Sequence, residues 1–256
     1  MGLTIHYKLK TTGDDAAAAK LVEALHRAAH DLPYKVVGDL VNLAGDECDY
    51  ELRAKEDPLR WLLIQAQGSV TLGHLPGESE YSSRRVSPTR MIAFTAWPGD
   101  GCEESNFGLC QYPAHIVDPR HGKLKTRLNG WSWRSFVKTH YASDPQCGGV
   151  PNFLRCHLSV IALLDKVKQL GGLDAVSDEG GFWEQRNVES LVKEIGSWNE
   201  MIAAFGGKLK DLLGDGVKMP IADYPNFERL EQAGQQQLPP GIEQLAQLIK
   251  QVSAKS

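Results

Sequence analysis

His140 and His157 are the residues of this sequence best suited to proton transfer near neutral pH. Histidine is the side chain whose unperturbed pKa lies closest to neutrality, and it serves often as a general acid or base. His140 follows a strand-like segment, and His157 lies at the edge of an apolar helical stripe. Because most buried histidines are simply hydrogen bonded, each also has a purely structural interpretation.

Two glutamates could act as the carboxylate partner of such a histidine. Glu103 lies in the irregular segment WPGDGCEESNFGLCQYP (97–113), and Glu184 lies in SDEGGFWEQRN (177–187), where a helix should begin. A carboxylate that is partly withdrawn from water has a raised pKa and can exchange protons. The alternative is that both acids are solvated, or that they favour a helix N-terminus electrostatically.

Three further residues are candidates for ligand binding. Asn106 belongs to the irregular segment, Glu179 precedes a Gly-Gly pair, and Arg186 follows that pair in the expected first turn of a helix. A guanidinium beside a helix N-terminus can hold an anion, and two glycines permit close backbone approach. The neighbouring acids oppose an anion there unless they turn away.

A basic strand face offers different chemistry. Asn129-Gly130 predicts a two-residue hairpin turn that pairs Lys125 with Arg134 and puts both tryptophans of the hairpin on the opposite face. Like charges across an antiparallel pair are unfavourable, so a carboxylate or an external phosphate should compensate them. The alternative is an edge hairpin whose lysines prevent strand addition. Because the tryptophans cannot stack on bases bound to the charged face, we expect no nucleic-acid partner.

The cysteines and glycines form no recognisable metal or nucleotide motif. Five cysteines in 256 residues are an odd number at spacings too wide for a zinc site, which favours a reducing compartment over disulfides. The third glycine of a dinucleotide loop is missing, and neither a phosphate loop nor an H-E-x-x-H or G-x-S-x-G motif occurs. The sequence therefore predicts no metal and leaves the cofactor unassigned.

Hydrophobic spacing indicates the elements that must position these groups. Alternating apolar residues predict strands, and spacings of three and four predict helices. The apolar stripe after Asp15 predicts one helix near the front, and those after Pro151 and Phe182 predict two long helices that end at Gly-Gly pairs. The predicted strands are 3–10, 34–43, 59–72, 90–97, 122–128 and 131–139. This order predicts an α+β fold with a mixed, mainly antiparallel sheet of about six strands and a helix-rich C-terminal half.

Length and composition predict a single α+β domain over 1–215, sheet-rich in 1–140 and helical in 151–215, with a helical tail (216–256) docked on it. The net charge of −4 gives no global attraction for nucleic acid or anionic membrane. No apolar run of about 18 residues could span a membrane, and the first residues lack a secretory signal. We therefore expect a cytoplasmic protein without a membrane partner, whose oligomeric state stays open.

These features predict a small-molecule-binding site, with acid/base catalysis as an option, formed by loop 98–113, the strand end 131–140 and the helical region. The alternative is a non-catalytic protein-interaction or regulatory module that uses the same loop and the C-terminal helices. A concave pocket with imidazole and carboxylate within hydrogen-bond reach would favour the first hypothesis. A flat or grooved apolar patch would favour the second.

Overall fold

The computed structural model of the protein describes residues 3–73, 82–213 and 227–234, and within these ranges the chain forms eleven strands and six helices. The strands are β1 (Thr4–Thr11), β2 (Val36–Val37), β3 (Val41–Ala44), β4 (Gly68–Gly73), β5 (Ser82–Val86), β6 (Arg90–Trp97), β7 (Ser105–Gln111), β8 (His115–Asp118), β9 (Gly122–Lys125), β10 (Trp131–Lys138) and β11 (Leu173–Asp178). The helices are α1 (Asp15–His30), α2 (Leu59–Gln65), α3 (Gly149–Gln169), α4 (Phe182–Gln185), α5 (Val188–Leu213) and α6 (Phe227–Gly234).

The central element is a seven-stranded sheet. Its strand order is β11-β1-β10-β7-β6-β2, and β3 also pairs with β6. Every pairing described in this sheet is antiparallel. Two separate hairpins, β4–β5 and β8–β9, complete the strands. The predicted α+β fold with a helix-rich C-terminal half is confirmed.

Alternation along β1 generates the core, as the sequence predicts. Ile5, Tyr7 and Leu9 are buried, and the register sets them beside the buried residues Val137, Ser135 and Trp133 of β10. Directly paired residues point to the same face of a sheet, so these side chains share one buried face. Apolar residues of α1 and α3 belong to the same core cluster, and α1 starts where the Asp14 carboxylate accepts the Ala17 N–H at 2.9 Å.

The predicted strand 59–72 is wrong in its first half. Residues Leu59–Gln65 form α2, and only Gly68–Gly73 form a strand. Pro58 adopts helical backbone angles at the start of α2, where proline's missing N–H costs nothing. Leu62, Leu63 and Ala66 are buried, and their spacing of one, three and four residues fits a helix face. The apparent alternation of Leu62, Ile64 and Ala66 concealed this spacing.

The predicted hairpin at Asn129-Gly130 is also wrong. β10 pairs with β1 over eight residues and with β7 at its start, and β9 pairs with β8. Gly130 does take a positive φ of 71°, but the preceding chain is directed elsewhere, because Thr126 bonds to the Pro113 and Ala114 carbonyls. A partner strand of matching length outweighs the local turn preference.

The irregular segment is shorter than predicted. Only residues 98–104 connect strands, since Ser105–Gln111 form β7, which pairs with β6 over seven residues. Gly108 lies so close to β6 that a Cβ atom there would overlap the Ile92 carbonyl. This position of the strand therefore requires glycine, a residue more typical of loops. Strand β11 was not predicted, because its six residues include two aspartates and a serine.

The long helices follow the prediction more closely. α3 covers Gly149–Gln169, whereas the helix expected from Phe182 is divided into α4 and α5 at Arg186, which has a positive φ of 53°. The predicted end at Gly206-Gly207 is wrong, because α5 continues through both glycines to Leu213. Of the predicted tail 216–256, only α6 lies within the described residues, where it packs against α5. Among the described helices, none has the length and apolar character of a membrane span.

Candidate functional site

His157 lies in a closed interior network, which we call the His157 network: Thr139, His157 and Asp178. The imidazole Nδ1 lies 3.0 Å from the Thr139 hydroxyl, and Nε2 lies 3.3 Å from the Asp178 carboxylate. Backbone N–H groups of Gly180 and Trp183 also donate to Asp178, at 2.8 and 2.9 Å. The His157 and Asp178 side chains have no exposed surface.

The charge of Asp178 is stabilised in spite of its burial. Burial alone would raise the pKa of this carboxyl, but the hydrogen bond and electrostatic interaction with His157 and the two backbone N–H donors lower it below its usual value. The network joins the end of β10, the helix α3 and the end of β11. It contains the elements of acid/base chemistry, but it gives a substrate no access.

His140 is buried separately. Its ring packs edge-on against Tyr141 and Trp198, with centroids 5.3 and 6.3 Å away, and its Nδ1 has no hydrogen-bond partner in the structure. Burial lowers the pKa of His140 to about 4, so the imidazole is neutral at physiological pH. Neither His140 nor His157 forms a hydrogen bond or ion pair with Glu103 or Glu184.

The other predicted site residues lie mainly at the surface. Glu103 pairs with Lys138 at 3.3 Å, Glu184 is exposed, and Glu179 accepts the Thr4 N–H at 2.9 Å. Arg186 forms two hydrogen bonds with Asp165, at 2.7 and 2.8 Å, which raise the pKa of its guanidinium, and it covers the Trp183 ring. The proposed catalytic and ligand-binding roles of these residues stay predictions.

The cysteines provide no metal centre in the described chain. All five thiols are free, and no group of three or more His, Cys, Asp or Glu side chains in the described residues is arranged to hold a metal ion. The Arg155 guanidinium lies 3.3 Å from the Cys156 sulfur, which lies 3.6 Å from the Asn152 side-chain oxygen. Arg155 also donates to the Pro33 and Pro98 carbonyls, which holds the 98–104 loop against α3.

A surface cleft of about 300 Å³ lies between β1 and β10 on one side and the α2–β4 segment on the other. We call it the anion cleft, for the charges of its lining. Its polar lining includes three cations, two amides and a hydroxyl that could contact an anion: Lys8, Lys10, Arg134, Gln65, Gln67 and Ser132. Asp174 is the acid at its rim.

The cations of the anion cleft are not neutralised within the described chain. Lys8 lies directly opposite Arg134 in the β1–β10 register, and both are exposed. Neither forms an ion pair with a described residue, and Asp174 pairs with neither of them. Two like charges across an antiparallel pair repel each other, so this arrangement favours an external anion. The sequence predicted such a conflict for Arg134, but with Lys125 as the opposite residue.

Gln65 supplies an oriented donor at this cleft. Its side-chain oxygen accepts hydrogen bonds from Asn106 Nδ2 at 2.6 Å and from the Ser135 hydroxyl at 3.4 Å. Asn106 in turn accepts the Thr95 hydroxyl at 2.6 Å. With the oxygen committed to the interior, the Gln65 amide nitrogen has no described acceptor, and Gln65 is one of the residues that line the cleft. We call this chain of Thr95, Asn106 and Gln65 the Gln65 network.

Asn106 was predicted to bind a ligand directly, but the structure places it behind Gln65. Its side chain is completely buried, and its backbone carbonyl accepts hydrogen bonds from Tyr7 at 2.7 Å and Trp133 at 2.8 Å. Together with the side-chain hydrogen bonds to Thr95 and Gln65, these contacts fix the position of Asn106, which in turn positions Gln65. Sequence reasoning missed Gln65 and Lys8, because no motif contains them and their partners are distant in the chain.

A second cleft of about 380 Å³ lies on the other side of α2 and has the opposite character. Its polar lining includes Asp39, Glu104 and Thr95, and its apolar lining includes Val36 and Trp97. The two carboxylates make this cleft unsuitable for an anion. α2 therefore separates a basic surface from an acidic one, and the Gln65 network connects them through the interior.

No protein-family model, curated protein or solved structure matches this chain. Geometry is therefore the basis on which a function can be assigned. Residues with ammonium, guanidinium and amide groups line the anion cleft, and its described lining contains no imidazole. Such groups bind and orient an anionic ligand.

Proposed function

We propose that this protein binds a small anionic ligand, carrying a phosphate or carboxylate group, in the anion cleft. The observation that supports this proposal is the oriented amide of Gln65, which opens into the same cleft as the Lys8–Arg134 pair. An anion between these groups accepts charge-assisted hydrogen bonds and relieves the repulsion between the two cations.

The electrostatic gain is sufficient for measurable binding. A unit charge 4 Å from a single cation gains about 1 kcal/mol in bulk water and about 4 kcal/mol at the effective dielectric constant of a protein surface. Two cations and an amide donor together correspond to a dissociation constant of about a millimolar or lower. Because the Gln65 network is already fixed in the protein, the conformational entropy lost on binding comes mostly from the ligand.

The dimensions of the cleft indicate the size of the bound group. Its volume of about 300 Å³ lies at the lower limit of ligand pockets, which measure roughly 300 to 1,000 Å³. One anionic group and its immediate substituent fill such a space. We therefore infer recognition of a small ligand, or of one group of a larger ligand, without acid/base catalysis by the predicted histidines, which are buried elsewhere. The five free cysteines favour a cytoplasmic location for this activity.

A thermal-shift titration with inorganic phosphate and pyrophosphate, at 50 mM salt, tests the proposal. Ligand binding to the folded state raises Tm with ligand concentration. We expect a saturable rise for the unmodified protein, and a smaller rise at 300 mM salt because exposed charges are screened. Absence of any saturable rise with both ligands contradicts the proposal.

Gln65→Glu is the most informative variant. The new carboxylate still accepts hydrogen bonds from Asn106 and Ser135, so the fold is retained, but the amide donor is replaced by a negative charge. We expect at least tenfold weaker binding of pyrophosphate. Gln146→Glu makes the same chemical change at an exposed position outside the cleft lining and should bind normally. Equal binding by both variants would exclude Gln65 from the site.

A further inference from the structure

The exposed side of β1 and β10 continues beyond the anion cleft as an aromatic surface. His6 pairs with Phe136 two residues along from the Lys8–Arg134 pair, so all four side chains point to the same face of the sheet. Phe136 is 38% exposed, and its ring centroid lies 5.8 Å from that of His6. A phenylalanine on an open strand face is not explained by the core, which occupies the other face.

A groove of about 410 Å³ adjoins the anion cleft and reaches His6 of the aromatic pair. Its lining includes His6 and Ser177, and it shares Lys8 and Arg134 with the anion cleft. Cations therefore lie between the cleft and the aromatic pair. From Ser132 to Phe136 the surface extends over four residues of β10, about 13 Å at the rise of a strand. This length accommodates about two nucleotides of an extended single strand.

We infer that this face binds single-stranded nucleic acid, with a backbone phosphate at Lys8, Arg134 and Gln65 and a base stacked on Phe136. The inference depends on the proposed function, because the same cations hold the phosphate. Grooves that alternate cations with exposed aromatic rings bind single strands, whose phosphates and unstacked bases match that alternation. A duplex buries its base faces and cannot use Phe136.

The sequence analysis argued against a nucleic-acid partner because the tryptophans of this region face away from the charged side of the strand. Trp131 and Trp133 are indeed buried on the face opposite Arg134, so they cannot stack on a strand bound there. His6 and Phe136 supply the aromatic surface instead. The acids around the face are Asp174 at the cleft rim and Glu179, which accepts the Thr4 N–H, and both oppose binding. The nearby cation is Lys138, whose ammonium group lies 5.8 Å from the Phe136 ring and pairs with Glu103.

Fluorescence anisotropy with labelled ten-nucleotide thymidine and uridine strands, and with a ten-base-pair duplex, tests this inference. We expect the single strands to bind more tightly than the duplex. With one phosphate bound, log K should fall with a slope of about −0.7 against log salt, which is about threefold between 50 and 200 mM. A duplex that binds as tightly as the single strands would overturn the inference.

Phe136→Ala separates base stacking from phosphate binding. We expect about tenfold weaker binding of the strand, an unchanged pyrophosphate thermal shift, and rescue by Phe136→Trp. Phe136→Leu keeps an apolar side chain and should also bind weakly, which distinguishes stacking from a folding defect. Tyr141→Ala removes an exposed aromatic outside the face, 50% exposed against 38% for Phe136, and should leave strand binding unchanged.

The remaining outcomes are distinct from failure of the proposed function. A pyrophosphate shift without strand binding overturns this inference and leaves the anion cleft intact. Loss of both overturns both proposals. Strand binding that Phe136→Ala does not weaken excludes the stacked base, and a mononucleotide that binds as tightly as the ten-nucleotide strand identifies a free nucleotide as the ligand instead.

Discussion

The His157 network and the Gln65 network are built from similar parts. Each contains a threonine hydroxyl and a completely buried polar side chain, His157 in one and Asn106 in the other. They differ in how they end. The Asp178 carboxylate has all its partners inside the protein, whereas Gln65 leaves an amide nitrogen open in a cationic cleft.

This difference shows why residue type alone is a poor guide to a site. A histidine hydrogen bonded to a carboxylate is the usual sign of acid/base catalysis, but here that pair joins three elements in the dry interior. Gln65 carries no charge and has no titratable group, yet it lines a surface cleft that a ligand can enter. A closed network stabilises the fold, and a network with an open end can recognise a partner.

The largest effect should come from breaking the closed network. Asp178→Ala leaves the His157 imidazole and the N–H groups of Gly180 and Trp183 without a buried acceptor. We expect the free energy of unfolding, measured in urea, to fall by about 3 to 5 kcal/mol. Asp174→Ala removes an exposed aspartate from the same strand and should change it by less than about 0.5 kcal/mol.

The same variant sharpens the comparison when binding is measured. If the His157 network is structural, the fraction of Asp178→Ala that stays folded should bind pyrophosphate as the unmodified protein does. A folded Asp178→Ala protein that has lost pyrophosphate binding would show that the two networks are not separate in function.

A smaller effect is expected from His140 as the pH falls. Its pKa is about 4 in the folded state and about 6.5 in the unfolded state. Between these values the unfolded chain holds more protons, so stability decreases as the pH is lowered. His140→Phe removes this titration and should resist acid better, with an advantage of about 2 kcal/mol at pH 5 relative to pH 7.

Urea unfolding at pH 7, 6 and 5 measures this difference. His115→Phe makes the same replacement at an exposed histidine and should keep the pH dependence of the unmodified protein. If His140→Phe and the unmodified protein lose stability in parallel between pH 7 and 5, the imidazole of His140 is protonated in the folded state as well.

The smallest effect on stability is expected at the anion cleft, where the substitution should raise the free energy of unfolding instead of lowering it. Lys8→Gln removes the like-charge pair with Arg134 and should raise the free energy of unfolding by a few tenths of a kcal/mol, while weakening pyrophosphate binding severalfold. High salt should abolish the gain in stability. Lys10→Gln is the matched control, because Lys10 pairs with Ser132 and its removal relieves no directly opposed like-charge pair, so the gain in stability should be smaller. A loss of stability in Lys8→Gln would mean that Lys8 has a stabilising partner.

Much of the fold could be predicted because the apolar residues of several elements show a clear pattern in the sequence. β1, α1 and α3 combine an apolar repeat with clear ends, and β6 is apolar on both faces. The structure places all four within a few residues of the prediction. The errors occur where tertiary contacts override local preference. β7 tolerates glycine because β6 lies against it, and the Asn129-Gly130 turn does not make a hairpin because β1 is the better partner for β10.

The site could be predicted only in part, for the same reason. The repulsion that involves Arg134 was recognisable, but its partner Lys8 comes from a strand far away in the chain. The orientation of Gln65 depends on Asn106, which is 41 residues away, and hydrogen bonds of this kind leave no periodic trace. Charge conflicts can thus be anticipated from a sequence, whereas the direction of an amide requires coordinates.

The position of β1 in the sheet affects how the protein is made. This early strand pairs with β10 and β11, and the contact between Thr4 and Glu179 spans 175 residues. At 5 to 20 residues per second, a ribosome needs roughly 10 to 35 s to produce that partner. Until β10 is synthesised, the apolar side of the nascent strand has no sheet to join, which makes it a natural substrate for chaperones.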